Sequence, residues 1–169
     1  YNMGGSGGRS SPVITNVTFI GNVSDGGGAI YNDGLSGVSS PVITNATFTG
    51  NVARDRFSGI GGAIYNRGAS GVSSPQITNA TFIGNVAYDA GAIYSNDFAG
   101  GTSRPQITNT MLWGNTARFG DIDEIGSTGA APQYRHSLVQ DVDLTSQGLG
   151  NIDGTTSSSD PLFADTGTL

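Results

Sequence analysis

Apolar residues in this chain arrive in brief pulses separated by Gly, Asn and Pro, and the pulses recur in a fixed order. The run Val13-Ile14, Val17, Phe19-Ile20 returns as Val42-Ile43, Ala46, Phe48, then as Ile77, Ala80, Phe82-Ile83, and last as Ile107, Met111-Leu112-Trp113. Within each pulse apolar positions alternate with Thr, the period-2 pattern of a strand with one face turned inward. Gly and Asn recur too often for any helix of ten residues.

The order is that of a repeat. Pro12, Pro41, Pro75 and Pro105 each open an eleven-residue block that closes on Asn22, Asn51, Asn85 or Asn115, and the prolines step by 29, 34 and 30 residues. A second block follows each first one: Gly27-Gly28-Ala29-Ile30-Tyr31-Asn32, then Gly61-Gly62-Ala63-Ile64-Tyr65-Asn66, then Ala90-Gly91-Ala92-Ile93-Tyr94-Ser95. Extra length in the longest repeat sits between its two blocks, so loops vary while strands keep step.

Short β-branched runs bounded by Pro, Asn and Gly predict three strands per coil, roughly Pro12 to Thr15, Val17 to Ile20 and Ala29 to Tyr31. The fold class is all-β: a right-handed parallel β-helix, or β-solenoid, of about five coils of about 30 residues, with the hand taken from parallel crossover connections. Residues 1–129 read as the repeating coils and 130–169 as an irregular C-terminal coil or cap of the same domain. Tyr1-Asn2 matches the middle of a repeat, so the expectation is a portion of a longer chain with an open N-terminal coil.

Stacking places equivalent residues on top of one another. Ile14, Ile43, Ile77 and Ile107 form one expected inward ladder, and Phe19, Phe48, Phe82 and Leu112 a second. Asn16, Asn45, Asn79 and Asn109 form one corner set and Asn22, Asn51, Asn85 and Asn115 another, since Asn tolerates left-handed backbone and its amide bonds up and down a stack. Alternation then turns Thr18, Ile20, Thr47, Thr49, Thr81, Ile83, Met111 and Trp113 outward as a partly apolar strip, a candidate contact face. The sequons at Asn16, Asn45 and Asn79 recur because the repeat does, and read as structural corners with buried amides.

Charge narrows the partners. Thirteen acidic residues face seven Arg and no Lys, a formal net charge of -6. Nucleic acid is excluded as a partner, and so is an anionic membrane surface, because both require clustered cations. No Cys is present and no apolar run is long enough for membrane insertion by this segment.

The motifs resemble a known family. Phe19-Ile20-Gly21-Asn22, Phe48-Thr49-Gly50-Asn51 and Phe82-Ile83-Gly84-Asn85 match the Phe-x-x-Asn half of the polymorphic outer membrane protein repeat, and Gly27 to Ile30 and Gly61 to Ile64 match its Gly-Gly-Ala-Ile half. The resemblance covers roughly residues 1 to 120. It implies a β-helical segment of a large bacterial surface protein, secreted or displayed at the cell surface, and often adhesive.

The expected function is therefore non-enzymatic: an extracellular structural or adhesive solenoid, self-associating laterally or head to tail into filaments, with a host-cell or glycan ligand. The rival is a carbohydrate-binding or polysaccharide-degrading β-helix enzyme. Hydrolysis requires two carboxylates about 5–9.5 Å apart, whereas the repeating strands read as free of Asp and Glu, with acids such as Asp25, Asp33, Asp55, Asp89 and Asp97 in the connections. No catalytic residue and no organic cofactor is expected. Calcium is the one ion with a candidate place, at Asp121, Asp123 and Glu124, although EF-hand spacing is missing. His136, the single histidine, reads as a surface residue.

Overall fold

The computed structural model describes residues 1–55, 60–118, 124–159 and 161, and in it the chain winds into a parallel β-solenoid. Three sheets run along its axis. The first contains the long strands Val13–Ile20, Val42–Thr49 and Gln76–Ile83, followed by Gln106–Thr108 with Met111–Trp113 and by Gln133–Arg135 with Leu138–Val139. The second is made of two-residue strands, Val23–Ser24, Val52–Ala53, Val86–Ala87 and Thr116–Ala117. The third contains Asn2–Met3, Ile30–Asp33, Ile64–Arg67, Ile93–Asn96 and Ile125–Ser127. Every pairing between named strands is parallel, each strand bonding to its equivalents in neighbouring coils.

About four full circuits are complete, where the repeat count led us to expect five. The second sheet, with 4 strands, sets that number. Partial circuits at Asn2–Met3 and at Gln133–Val139 flank the four and account for the difference.

The strand assignment is corrected in two places. The first two expected strands are one eight-residue strand, bent where Asn16, Asn45 and Asn79 adopt left-handed φ of 53–55°. A two-residue strand such as Val23–Ser24, too brief to leave a periodic signal, makes the third side of each coil instead. Acids are also not confined to the connections: Asp33 ends its strand, lies buried, and meets the Arg67 guanidinium of the next coil at 3.3 Å.

The core is a set of ladders one residue wide. Ile14, Ile43, Ile77, Ile107 and Tyr134 lie in register, as do Phe19, Phe48, Phe82, Leu112 and Val139, and as do Ile30, Ile64, Ile93 and Ile125. The Ile and Phe members of the middle coils are fully buried, while Ile14 and Phe19 are partly buried. Phe19 and Phe48 stack with centroids 4.8 Å apart, and Phe48 and Phe82 at 4.5 Å with planes within 3°. These spacings match the distance between neighbouring strands, so ring stacking and main-chain pairing reinforce each other. Each fully buried Ile or Phe stabilises by roughly 1.5–3 kcal/mol, which only stacking of successive coils makes available.

Candidate functional site

The outward strip rests on what holds its strands in register. Both asparagine sets form side-chain ladders, and the two differ in burial and in direction. Asn51, Asn85 and Asn115 are buried. In this set the main-chain N–H and the Nδ2 of Asn22 both donate to Oδ1 of Asn51, at 3.1 and 2.9 Å, and the same pair of bonds links Asn51 to Asn85 and Asn85 to Asn115. The second Nδ2 hydrogen of Asn51, Asn85 and Asn115 goes to the carbonyls of Phe19, Phe48 and Phe82, each at 3.0 Å. A side-chain oxygen thus takes the main-chain N–H at a corner, where no strand carbonyl accepts it, and no buried donor is stranded.

In every asparagine-to-asparagine bond of this ladder the donor lies one coil before its acceptor, so the main-chain N–H and one Nδ2 hydrogen of Asn115 are left to be satisfied at the C-terminal end. There they meet a carboxylate: Glu124, itself buried, accepts from the main-chain N–H and the Nδ2 of Asn115. Of the three acids considered for calcium, Asp121 and Asp123 lie outside the described residues, and Glu124 closes the asparagine ladder. Among the described residues no group of three His, Cys, Asp or Glu side chains is placed to hold a metal ion.

The other set, Asn16, Asn45, Asn79 and Asn109, is exposed, which corrects the expectation that the sequon amides are buried. Its bonds run the opposite way, Asn45 to Asn16, Asn79 to Asn45 and Asn109 to Asn79, at 3.0, 3.0 and 2.7 Å. His136 stands next in that row with the same left-handed backbone, φ 49°, and is exposed.

A third ladder, which pattern reading missed, runs through Asn2, Asn32, Asn66 and Ser95, with Nδ2 to Oδ1 distances of 3.2 and 2.9 Å and a last contact of 3.4 Å to the serine hydroxyl. Ser39, Ser73 and Ser103 line up beside it, each hydroxyl donating to a carbonyl of the preceding circuit. Its signal was present in the recurring Tyr-Asn of the second block, but equivalence alone does not say that a polar residue points inward. Outside it, the rings of Tyr31 and Tyr65 meet tilted at 4.7 Å and those of Tyr65 and Tyr94 edge to face at 6.1 Å. Burial lifts the Tyr65 phenol to about 12, and the Tyr1 hydroxyl donates to Asp33 at 2.8 Å.

On this frame Thr18, Thr47, Thr81 and Met111 lie in register, and beside them Ile20, Thr49, Ile83 and Trp113. Thr18 and Ile20 are exposed and the other six half-buried. The strip is one flat, hydroxyl-bearing and apolar face, with its rows a strand spacing apart along the axis.

The two halves of the repeat motif now have physical causes. In Phe-x-x-Asn the Phe joins the inward stack, the residue before Asn is a Gly in left-handed conformation (Gly21, Gly50, Gly84 and Gly114, φ 60–66°), and the Asn extends the buried ladder. In Gly-Gly-Ala-Ile the first Gly turns the corner with φ 66° at Gly61, and a Cβ on the second, Gly62, would lie 2.1 Å from the Gly91 carbonyl of the next coil. Ala63 accepts the two N–H groups of Ala29 and Ile30, and Ile64 enters the core.

Residues 16–33 and 45–67 match the family model described as the Chlamydia polymorphic membrane protein repeat. No curated protein and no solved structure matches the chain. The description of the matched repeat is that of a membrane protein family, which points to a surface or outer-membrane location. The chain is a β-solenoid in which residues 16–33 and 45–67 match the polymorphic membrane protein repeat.

Proposed function

We propose that this segment is a structural and adhesive element of a bacterial surface protein, and that the outward strip is the face by which it holds a partner. The observation that carries the reading is the register of Ile20, Thr49, Ile83 and Trp113 beside Thr18, Thr47, Thr81 and Met111. A solenoid whose asparagine sets are bonded into ladders offers a partner a pre-formed surface, and binding to such a surface costs little ordering entropy. Apolar rows flanked by hydroxyls suit a protein or glycan surface on a host cell, or a second copy of the chain laid alongside. Lateral or head-to-tail self-association into filaments belongs to the same proposal.

Beads coated with the chain are expected to adhere to epithelial cells, and a Thr49→Arg/Ile83→Arg variant to lose most of that adhesion while keeping its β-sheet circular dichroism. Light scattering across concentration on the same two proteins separates self-association from host binding. Equal adhesion by both proteins would remove the strip from the proposal, and release of new reducing ends from a glycan panel would overturn the non-catalytic reading.

A further inference from the structure

Apart from the strip, and sharing no residue with it, a cavity of about 360 Å³ lies where the chain turns back on the last regular strands. One wall is the outward side of Gln133–Arg135 with Arg104 beside it, and the other is the turn Gln147-Gly148-Leu149 that follows a short 3-10 helix, Thr145–Gln147. The turn is fastened to the solenoid by Asn151, whose Nδ2 donates to the carbonyls of Tyr134 and Leu144, both at 3.2 Å, and whose Oδ1 accepts from Ser137 N–H at 3.0 Å. Gly148 completes the floor. Its φ is +154°, and a Cβ there would lie 2.4 Å from the Tyr134 carbonyl, so the turn seats against the strand only without a side chain.

The lining chemistry is unusual for this chain. With 13 acids against 7 arginines overall, the cavity contains two arginines and no carboxylate. Arg104 Nε donates to the Ala131 carbonyl at 3.2 Å, which holds the side chain and leaves its terminal nitrogens available. Neither Arg104 nor Arg135 pairs with a carboxylate among the described residues, and the amides of Gln133 and Gln147 make no hydrogen bond there. A guanidinium fork matches the geometry of a carboxylate or sulfate, and amides match hydroxyls. The exposed Leu149 side chain adds an apolar edge. The volume falls at the small end of ligand sites, room for one or two sugar rings.

We propose that this cavity binds the acidic unit of a carbohydrate, with Arg104 and Arg135 taking its carboxylate or sulfate and Gln133 and Gln147 its hydroxyls. The inference is independent of the strip, since one site is cationic and concave and the other neutral and flat. Calorimetric titration with glucuronic acid, glucose 6-sulfate, glucose and inorganic sulfate tests it. Saturable binding is expected for at least one of the two acidic sugars, weakening as salt rises, and none for glucose. Arg104→Ala and Arg135→Ala are each expected to weaken that binding about tenfold or more. Arg54→Ala, at an exposed arginine outside the cavity, and the strip variant should leave it unchanged. Absence of saturable binding by either acidic sugar, or undiminished binding by the double arginine variant, would overturn the proposal. Inorganic sulfate binding as tightly as the sugars would overturn its carbohydrate part.

Discussion

Asn115 gives two donors to one carboxylate: its main-chain N–H reaches Glu124 Oε1 at 3.1 Å and its Nδ2 reaches Oε2 at 2.5 Å. The contact joins the repeat to a residue outside the repeat motif and ends the buried asparagine ladder on a negative charge, at the end where aligned N–H groups make one favourable. Glu124→Ala leaves both donors without that acceptor and is expected to destabilise the chain by about 1–3 kcal/mol. Glu124→Gln, which keeps an acceptor oxygen, should cost less. Urea unfolding of the three proteins checks the order, and a neutral Glu124→Ala would remove the capping role.

The stacked phenylalanines predict a graded core. Phe48 has a ring on each side, with Phe19 at 4.8 Å and Phe82 at 4.5 Å, and is fully buried. Strands on either side hold the neighbouring rings in place, so the void left by Phe48→Ala cannot collapse, and a loss of about 3–5 kcal/mol is expected. Phe19→Ala, at a partly buried position, should cost distinctly less. Equal losses in thermal and urea unfolding would contradict a ladder in which burial sets the energy.

Two glycines separate strain from collision. Gly84 has φ +62° and open space around it, so Gly84→Ala meets only the left-handed backbone penalty, about 1–2 kcal/mol. At Gly62 the new Cβ would stand 2.1 Å from the Gly91 carbonyl and 2.7 Å from Val86 N, main-chain atoms of the next coil. Gly62→Ala should therefore destabilise more than Gly84→Ala and push adjacent coils apart. Hydrogen exchange at Val86, whose N–H bonds to the Asn51 carbonyl, reports that separation; protection equal to that of the parent chain would count against it.

High pH should unfold the chain through its tyrosines. A tyrosine in the unfolded chain loses its proton near pH 10, whereas Tyr65 is raised to about 12, chiefly by burial, and burial raises Tyr134 further in the same direction. Above pH 10 the unfolded state binds fewer protons than the folded one, so stability falls as pH rises. The contribution is whole below pH 10 and is lost through the window up to about pH 12. Tyr65→Phe and Tyr134→Phe should each move the alkaline unfolding midpoint upward, followed by circular dichroism; an unchanged midpoint in both would assign alkaline unfolding to other groups.

Much of this architecture was readable from the chain because a parallel stack converts sequence equivalence into spatial contact. Once Phe19, Phe48 and Phe82 are equivalent, a stack of coils must bring them together, and the same holds for Ile14, Ile43 and Ile77 and for both asparagine sets. Period-2 alternation also gave the outward positions of Thr47 and Thr49, because no corner intervenes between them and Phe48. What alternation could not carry was direction through a corner. Asn45 and Asn51 are equally periodic, yet the first is exposed and the second buried, since the turn of the backbone at each corner decides which way the amide faces. Nor could equivalence reach residues that occur once. Glu124 read as one of three acids for calcium, and the cavity at Arg104 and Arg135 draws on Gln147, Gly148 and Leu149, which have no counterpart in the repeat. The repeat by itself determined the ladders, because their contacts are dictated by the strand spacing. Tertiary structure alone decided how the buried ladder ends and where a cationic hollow forms, because both depend on unique segments folding back against the stack.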